Sequence, residues 1–318
     1  MAITVVGSVA YDTVTTLYGK SVRQLGGSAI HFSLAASKFT DVIPVGVYGE
    51  DFKDSDLNLL EASSINLSNM QQEKGLTFFW EGEYEKDNMN NRETIKTELN
   101  VFEDFNPHLN DLAKKSNILF LANINPELQL DVLEKVKTEN KKSFVGLDTM
   151  DLWIDTSNDV LHKVIKNSDV VMIDQSEARM ISGFNNLKDA GFKIMELSSK
   201  NVVIKKGEHG ALIFTSDQYY ALPGFLTNNV KDPTGAGDSF AGAFFGLLDR
   251  VNSYNSKDIF MAGVIGTVVA SFMVEDFGVR ALIELDMNMI YKRYITYIKS
   301  IGYSFIFDET QFKDYLNL

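Results

Sequence analysis

The sequence predicts an α/β protein: a central, mostly parallel sheet with helices on both faces, plus a small β-sheet lid. Three observations predict it. Short β-branched, apolar segments alternate with amphipathic helical ones through most of the chain. One stretch, Gly75–Val101, breaks that alternation with strand-like runs of its own. Two long helical stretches then follow a glycine-rich turn.

In order, Ile3–Val9 reads as a strand and Ser28–Phe39 as a buried helix. Val42–Val47 returns as a strand, and Asp54–Ser63 as a helix. Gly75–Val101 holds Leu76-Thr77-Phe78-Phe79-Trp80, a polar Asn88–Arg92 stretch and Thr94–Leu99. These suit antiparallel strands set apart from the α/β layers, as a lid or as an edge hairpin. Lid strands are expected at about 11–25 and 75–101, within one domain spanning 1–318.

Ile118–Ala122 is a short strand. Asn125-Pro126-Glu127 then offers a capping Asn, a Pro for the first helical position and a Glu for the helix's positive end, so a helix runs to about Glu139. Phe144–Leu147, Val170–Ile173 and Asn201–Lys206 are strand-like, and Gln175–Ile181 is helix-like. Ala211–Thr215 and Gln218–Leu222 form a hairpin about Ser216-Asp217, and helices are expected over Asp238–Val251 and Lys257–Val274.

With 318 residues, 45% hydrophobic and 23% charged, the chain can bury a sizeable core. It has no cysteine, which excludes disulfides, thiolate metal ligands and cysteine nucleophiles, and fits a reducing, cytoplasmic setting. The first lysine is Lys20, so Met1–Ala10 lacks the positive flank of a secretory signal. The longest uncharged run, Ile259–Val274, is sixteen residues, short of the roughly 18–20 needed for a span. No membrane role is expected. The net charge of −13 and the lack of a basic stripe argue against nucleic acid. His31, His108, His162 and His209 show no metal-ligand spacing.

Chemistry concentrates in Lys231-Asp232-Pro233-Thr234-Gly235-Ala236-Gly237-Asp238. A Gly-Ala-Gly turn entering a helix points backbone N–H groups one way and adds the helix dipole. The result is an anion site suited to a transferring phosphoryl group. Gly235 and Gly237 would let phosphate approach the backbone, and Asp238 at the mouth could take a proton from an attacking hydroxyl. Read without this purpose, the same run is a capped helix whose glycines serve packing.

That run, with several upstream segments, resembles the ribokinase family, the PfkB-type carbohydrate and nucleoside kinases. The resemblance covers nearly the whole chain in the same order. It implies a ribokinase-like fold and transfer of a phosphoryl group from ATP to a hydroxyl, with Asp238 as base and the Gly235, Ala236 and Gly237 amides as anion hole. Val5-Val6-Gly7-Ser8-Val9-Ala10-Tyr11-Asp12 looks like the family's first strand, which implies that Asp12 binds substrate; alone, it reads as a turn or capping residue.

Leu25-Gly26-Gly27-Ser28-Ala29-Ile30-His31 resembles the di-glycine element, implying substrate contact at Gly26, Gly27 and His31. Relatives often carry Asn where His31 stands. Without the resemblance, Ser28 caps a helix and His31 is a bystander. Asp174-Gln175-Ser176-Glu177 resembles the Asn-x-x-Glu element, implying Mg²⁺ held through water by Glu177, with Asp174 in the usual Asn's place; the alternative is a solvated helix-start pair.

Lys205-Lys206-Gly207-Glu208-His209-Gly210 resembles the turn beside the nucleotide, implying ATP contacts at Lys205, Gly207, Gly210 and Thr234; a surface lysine pair is the other reading. Asp232 and Thr234, with Glu275–Gly278, fall where relatives hold a monovalent cation such as K⁺.

The expected partner is a small-molecule sugar, with a nucleoside as the alternative. Phe78, Phe79 and Trp80 could stack on a base or bury one another. A sensor that binds nucleotide or sugar phosphate without turnover is the reading from another class. A homodimer through the lid is a further expectation. The aromatic tail, with Tyr303, Phe305, Phe307, Phe312 and Tyr315, is expected to cover the body or a partner subunit.

Overall fold

The computed structural model describes residues 2–198, 200–303 and 307–316. Its strands are β1 (Ala2–Val6), β2 (Ala10–Thr16), β3 (Gly19–Gly26), β4 (Asp41–Tyr48), β5 (Met70–Gln72), β6 (Phe78–Tyr84), β7 (Arg92–Glu98), β8 (Ile118–Leu121), β9 (Phe144–Asp148), β10 (Val170–Asp174), β11 (Asn201–Lys205), β12 (Ala211–Phe214) and β13 (Tyr219–Leu222). The helices are α1 (Ser28–Ala36), α2 (Asp54–Ala62), α3 (Asp111–Lys114), α4 (Pro126–Glu139), α5 (Asp151–Thr156), α6 (Asn158–Lys166), α7 (Gln175–Ser182), α8 (Leu187–Ser198), α9 (Ala236–Val251), α10 (Ser256–Met273), α11 (Arg280–Glu284), α12 (Met287–Ser300) and α13 (Glu309–Tyr315).

Nine strands form one sheet in the order β13-β12-β11-β10-β9-β8-β1-β4-β5. Every pair from β11 to β5 is parallel, and only β12 is reversed, pairing antiparallel with β11 and with the edge strand β13. The inner strands are buried on both faces and so read as continuous apolar runs. One face packs against α1, α9 and α10, where Phe32 stacks on Phe120 with ring centroids 4.4 Å apart and Phe245 closes on the same ring. The other face packs against α4, α6 and α8.

Two sequence expectations change here. Ile3–Val9 is not one strand: β1 ends at Val6, and the chain re-enters at Ala10 as β2 of a separate four-stranded sheet, β3-β2-β6-β7. The break is fixed by the Gly7 N–H donating to the Val45 carbonyl. Ser8 and Ser28 then clip together, each backbone N–H donating to the other's hydroxyl at 3.1 and 3.0 Å. Ser28 therefore does not cap α1, whose N-cap is Gly27.

The small sheet is the lid. Its strands pair β2–β3 and β6–β7 antiparallel and β2–β6 parallel. The aromatic tail packs on the protein's own body: Phe312 and Leu316 are buried with Tyr294, and the Tyr315 hydroxyl donates to Asp258 at 2.6 Å. Phe305 lies outside the described residues. Among the described residues only α10 is long and apolar enough to cross a membrane, and 83% of it is buried inside the fold.

Candidate active site

Three adjacent strands end in charged residues at one edge of the large sheet. Asp148 ends β9, Asp174 ends β10 and Lys205 ends β11. Register places Met172 beside Asp148 and Asp174 beside Lys205. The carboxyl ends of parallel strands are where α/β sheets gather ligands. The Lys205 Nζ reaches across β10 to donate to Asp148 Oδ2 at 2.7 Å. Its side chain is 18% exposed and that of Asp148 7%, so Lys205 is no surface lysine. Asp148 and the more distant Glu177 hold its ammonium above the ordinary lysine range, against the opposing effect of burial.

The glycine-bearing turn faces these strand ends. Gly235 caps α9 at φ +80°, and a side chain there would collide with the His31 ring, so both backbone and packing require glycine. Asp238 lies on the first turn of α9 and is half-buried. Burial, then the Asp148 carboxylate, push its carboxyl up to about 7, while Lys205 and Arg92 pull the other way. A site 3.4 Å from the Lys205 Nζ is where a Cβ on Gly237 would sit. Ammonium and backbone therefore adjoin.

The anion hole is narrower than the sequence suggests. The Ala236 N–H closes the turn onto the Pro233 carbonyl at 3.1 Å. The first helical bond begins at the Ser239 N–H, onto the Gly235 carbonyl. Of the three amides expected, that of Ala236 is already committed.

Asp12, on β2, is 5% exposed. Its carboxyl packs against Gly26. Burial, then Asp232 and Asp238, raise it to about 7. His31 is 2% exposed. Its Nδ1 lies 3.0 Å from the Gly27 carbonyl, so Nδ1 carries the proton and Nε2 is an acceptor without a protein partner. Burial lowers its pKa and keeps the ring neutral. His31 packs between the di-glycine segment and the Gly235 turn.

A cavity of about 730 Å³ opens on the other flank. Lys205, Gly207, Gly210, Ala236 and Gly237 line it from the body, and the β6–β7 connection lines it from the lid. The Asn90 side-chain amide crosses to Glu208 at 2.8 Å, tying lid to body. Asp12, Gly26, Gly27 and His31 lie outside this cavity. Thr234 does not line it either; its hydroxyl pairs with that of Tyr84 at 3.1 Å.

Asp174 and Glu177 form a capping box. Asp174 Oδ1 accepts from the Ser176 and Glu177 amides, and Glu177 Oε2 accepts from the Asp174 N–H at 2.7 Å. Glu177 is buried rather than solvated, and burial followed by the Asp148 charge raises its pKa. Among the described residues no three His, Asp or Glu side chains are grouped to hold a metal directly. A cation held through water and phosphate fits this crowded, acidic set, because it would relieve the mutual repulsion.

Asp232 is fully buried and accepts from Thr234 N–H at 2.9 Å, Gln24 Nε2 at 2.9 Å and Gly278 N–H at 3.2 Å. Three neutral donors thus converge on its two oxygens.

Sequence reasoning missed Asp148, Tyr84, Gln24 and Asn90. None of them carries a local signal, because each meets a partner remote in sequence.

The comparisons with known proteins agree. The family described as "pfkB family carbohydrate kinase" matches residues 2–285. A cytidine kinase of Thermococcus kodakarensis is 27% identical over 253 residues, 77% of this chain and 88% of that one. In fold, the chain is similar to the nucleoside kinase of Methanocaldococcus jannaschii, with a TM-score of 0.74, 22% identity and coverage of 93% and 98%. It is equally similar to a Burkholderia thailandensis nucleoside kinase solved with inosine, with a TM-score of 0.76, 16% identity and coverage of 95% and 98%.

Proposed function

The chain belongs to the pfkB family of carbohydrate kinases, and from that premise we propose that it phosphorylates a hydroxyl of a sugar ring held between Asp12 and Asp238. One observation carries the reading. Asp238 stands half-open on the first turn of α9, with Asp12 on one flank and the 730 Å³ cavity beside Gly237 and Lys205 on the other.

In this reading the cavity takes ATP, with Gly207 and Gly210 letting the chain pass close to it. Asp12 accepts hydrogen bonds from hydroxyls of the acceptor. The Gly26-Gly27 backbone presses against it, and His31 Nε2 is a further acceptor. Asp238 takes the proton of the attacking hydroxyl; a loose phosphoryl-transfer transition state needs little prior activation. The Gly237 amide receives charge developing on the transferring group. Mg²⁺, when bound, supplies charge neutralisation between the phosphates, and Glu177 and Asp174 would hold it through water. Lid closure through Tyr84 and Asn90 excludes water.

A nucleoside acceptor is the second reading, favoured by the likeness to a cytidine kinase. The lid aromatics lend it no support. Phe78 packs on Phe102, Phe79 lies under Lys96, and Trp80 lies under Arg92.

ADP release over a panel of free sugars and nucleosides tests both. The first reading expects turnover of at least one free sugar. Turnover confined to nucleosides selects the second, and ADP release with no acceptor of either kind overturns both.

A further inference from the structure

The glycine turn offers less positive potential than its sequence suggests, because the Ala236 N–H is bound to the Pro233 carbonyl. A nearby cation makes up the difference. Lys205 is beside Gly237, lines the cavity, and is fixed by Asp148 at 2.7 Å.

Asp148 is itself immobilised. Its Oδ1 accepts from the Thr149 N–H at 2.9 Å. Its main-chain carbonyl accepts at 3.0 Å from Nε2 of Gln129, a fully buried side chain that also donates to Ala122. A rigid carboxylate paired with a lysine ammonium aims the charge as well as neutralising it.

We propose that Asp148 is a positioning residue for phosphoryl transfer, holding the Lys205 ammonium beside Gly237 so that it and the Gly237 amide together bind oxygens of the transferring group. This rests on the kinase reading of the Gly235–Asp238 turn. Asp148 touches neither nucleotide nor acceptor; it acts through Lys205.

A double-mutant cycle separates that role from a structural one. Lys205→Met is expected to lower kcat by about 100-fold, and Asp148→Asn by about 10-fold, each with the acceptor KM little changed. The double variant is expected to match Lys205→Met alone, since nothing remains to be positioned. Multiplying losses, or an Asp148→Asn enzyme with native kcat, overturn the proposal.

Asp148→Glu keeps the buried pair and covers the case in which the amide variant does not fold. Its longer arm displaces the ammonium, so kcat should fall by roughly 10-fold; a native kcat contradicts the proposal. Calorimetry with ATP and ADP reads the same arrangement without turnover. Lys205→Met is expected to weaken ATP more than ADP, and equal weakening counts against it. A wild-type chain that binds neither nucleotide would instead remove the kinase reading itself.

Discussion

At pH 7 the Asp238 carboxyl sits near the midpoint of its titration, since burial and the Asp148 charge have raised it to about 7. Only the carboxylate can accept a proton from the substrate. The kcat/KM for the acceptor is therefore expected to rise about tenfold per pH unit below 7 and level off above it; a profile flat from acid to neutral pH contradicts the assignment. The same shift has a stability consequence of opposite sign. The folded carboxyl holds its proton to higher pH than the unfolded one, so its cost to folding grows as pH climbs from the ordinary carboxylate range through 7. Asp238→Asn should raise Tm by more at pH 8 than at pH 5, and thermal unfolding at the two values checks this.

Asp238 stands out locally because a glycine-bearing turn leads into its helix, whereas Asp12, inside β2, was singled out only by the family resemblance. Asp148 was not legible, since nothing around Leu147-Asp148-Thr149 announces a partner on β11. Its meaning arises only when β10 sets the two strands side by side.

Among the elements, two of the bonds that hold the lid to the body lie beside the site. Asn90 meets Glu208 over the cavity, and Tyr84 meets Thr234 over the turn. The Asn90 bond to the Glu208 carboxylate is exposed, so water replaces it and its loss costs little stability, while loosening a closing segment changes ligand affinity. Asn90→Ala is thus expected to raise the KM for ATP about threefold or more with Tm unchanged; an unchanged KM would show that the contact is idle.

The lid strands could be read from their own alternation, but the parallel pairing of β2 with β6 could not. It joins segments more than sixty residues apart in the chain. The C-terminal α12 and α13 went unread for another reason. Their aromatic residues fill space left by α10 and one another, as Tyr291, Tyr294 and Phe312 do, so their pattern has meaning only as packing.

Across the whole molecule, the site and the stabilising contacts occupy opposite edges of one sheet. At the edge away from the cleft, the buried Asp249 near the end of α9 accepts from Thr40, which follows α1, and from Asn117, which precedes β8. Asp249→Ala leaves both donors without this acceptor and is expected to cost about 1–3 kcal/mol, read as a lower urea midpoint, with kcat unaltered. Loss of turnover alongside stability would mean that the two edges are coupled. The alternation of strands and helices made this architecture readable in advance; the bonds that lock it were not, because each joins residues remote in sequence.

The most direct measurement is single-turnover transfer by rapid quench, with saturating ATP and acceptor, in the wild type and in Asp238→Asn. The removed proton acceptor should slow transfer by roughly 10²–10⁴-fold while calorimetry shows ATP binding within about threefold of the wild type. Transfer at the native rate by the Asn variant would show that some other group takes the proton.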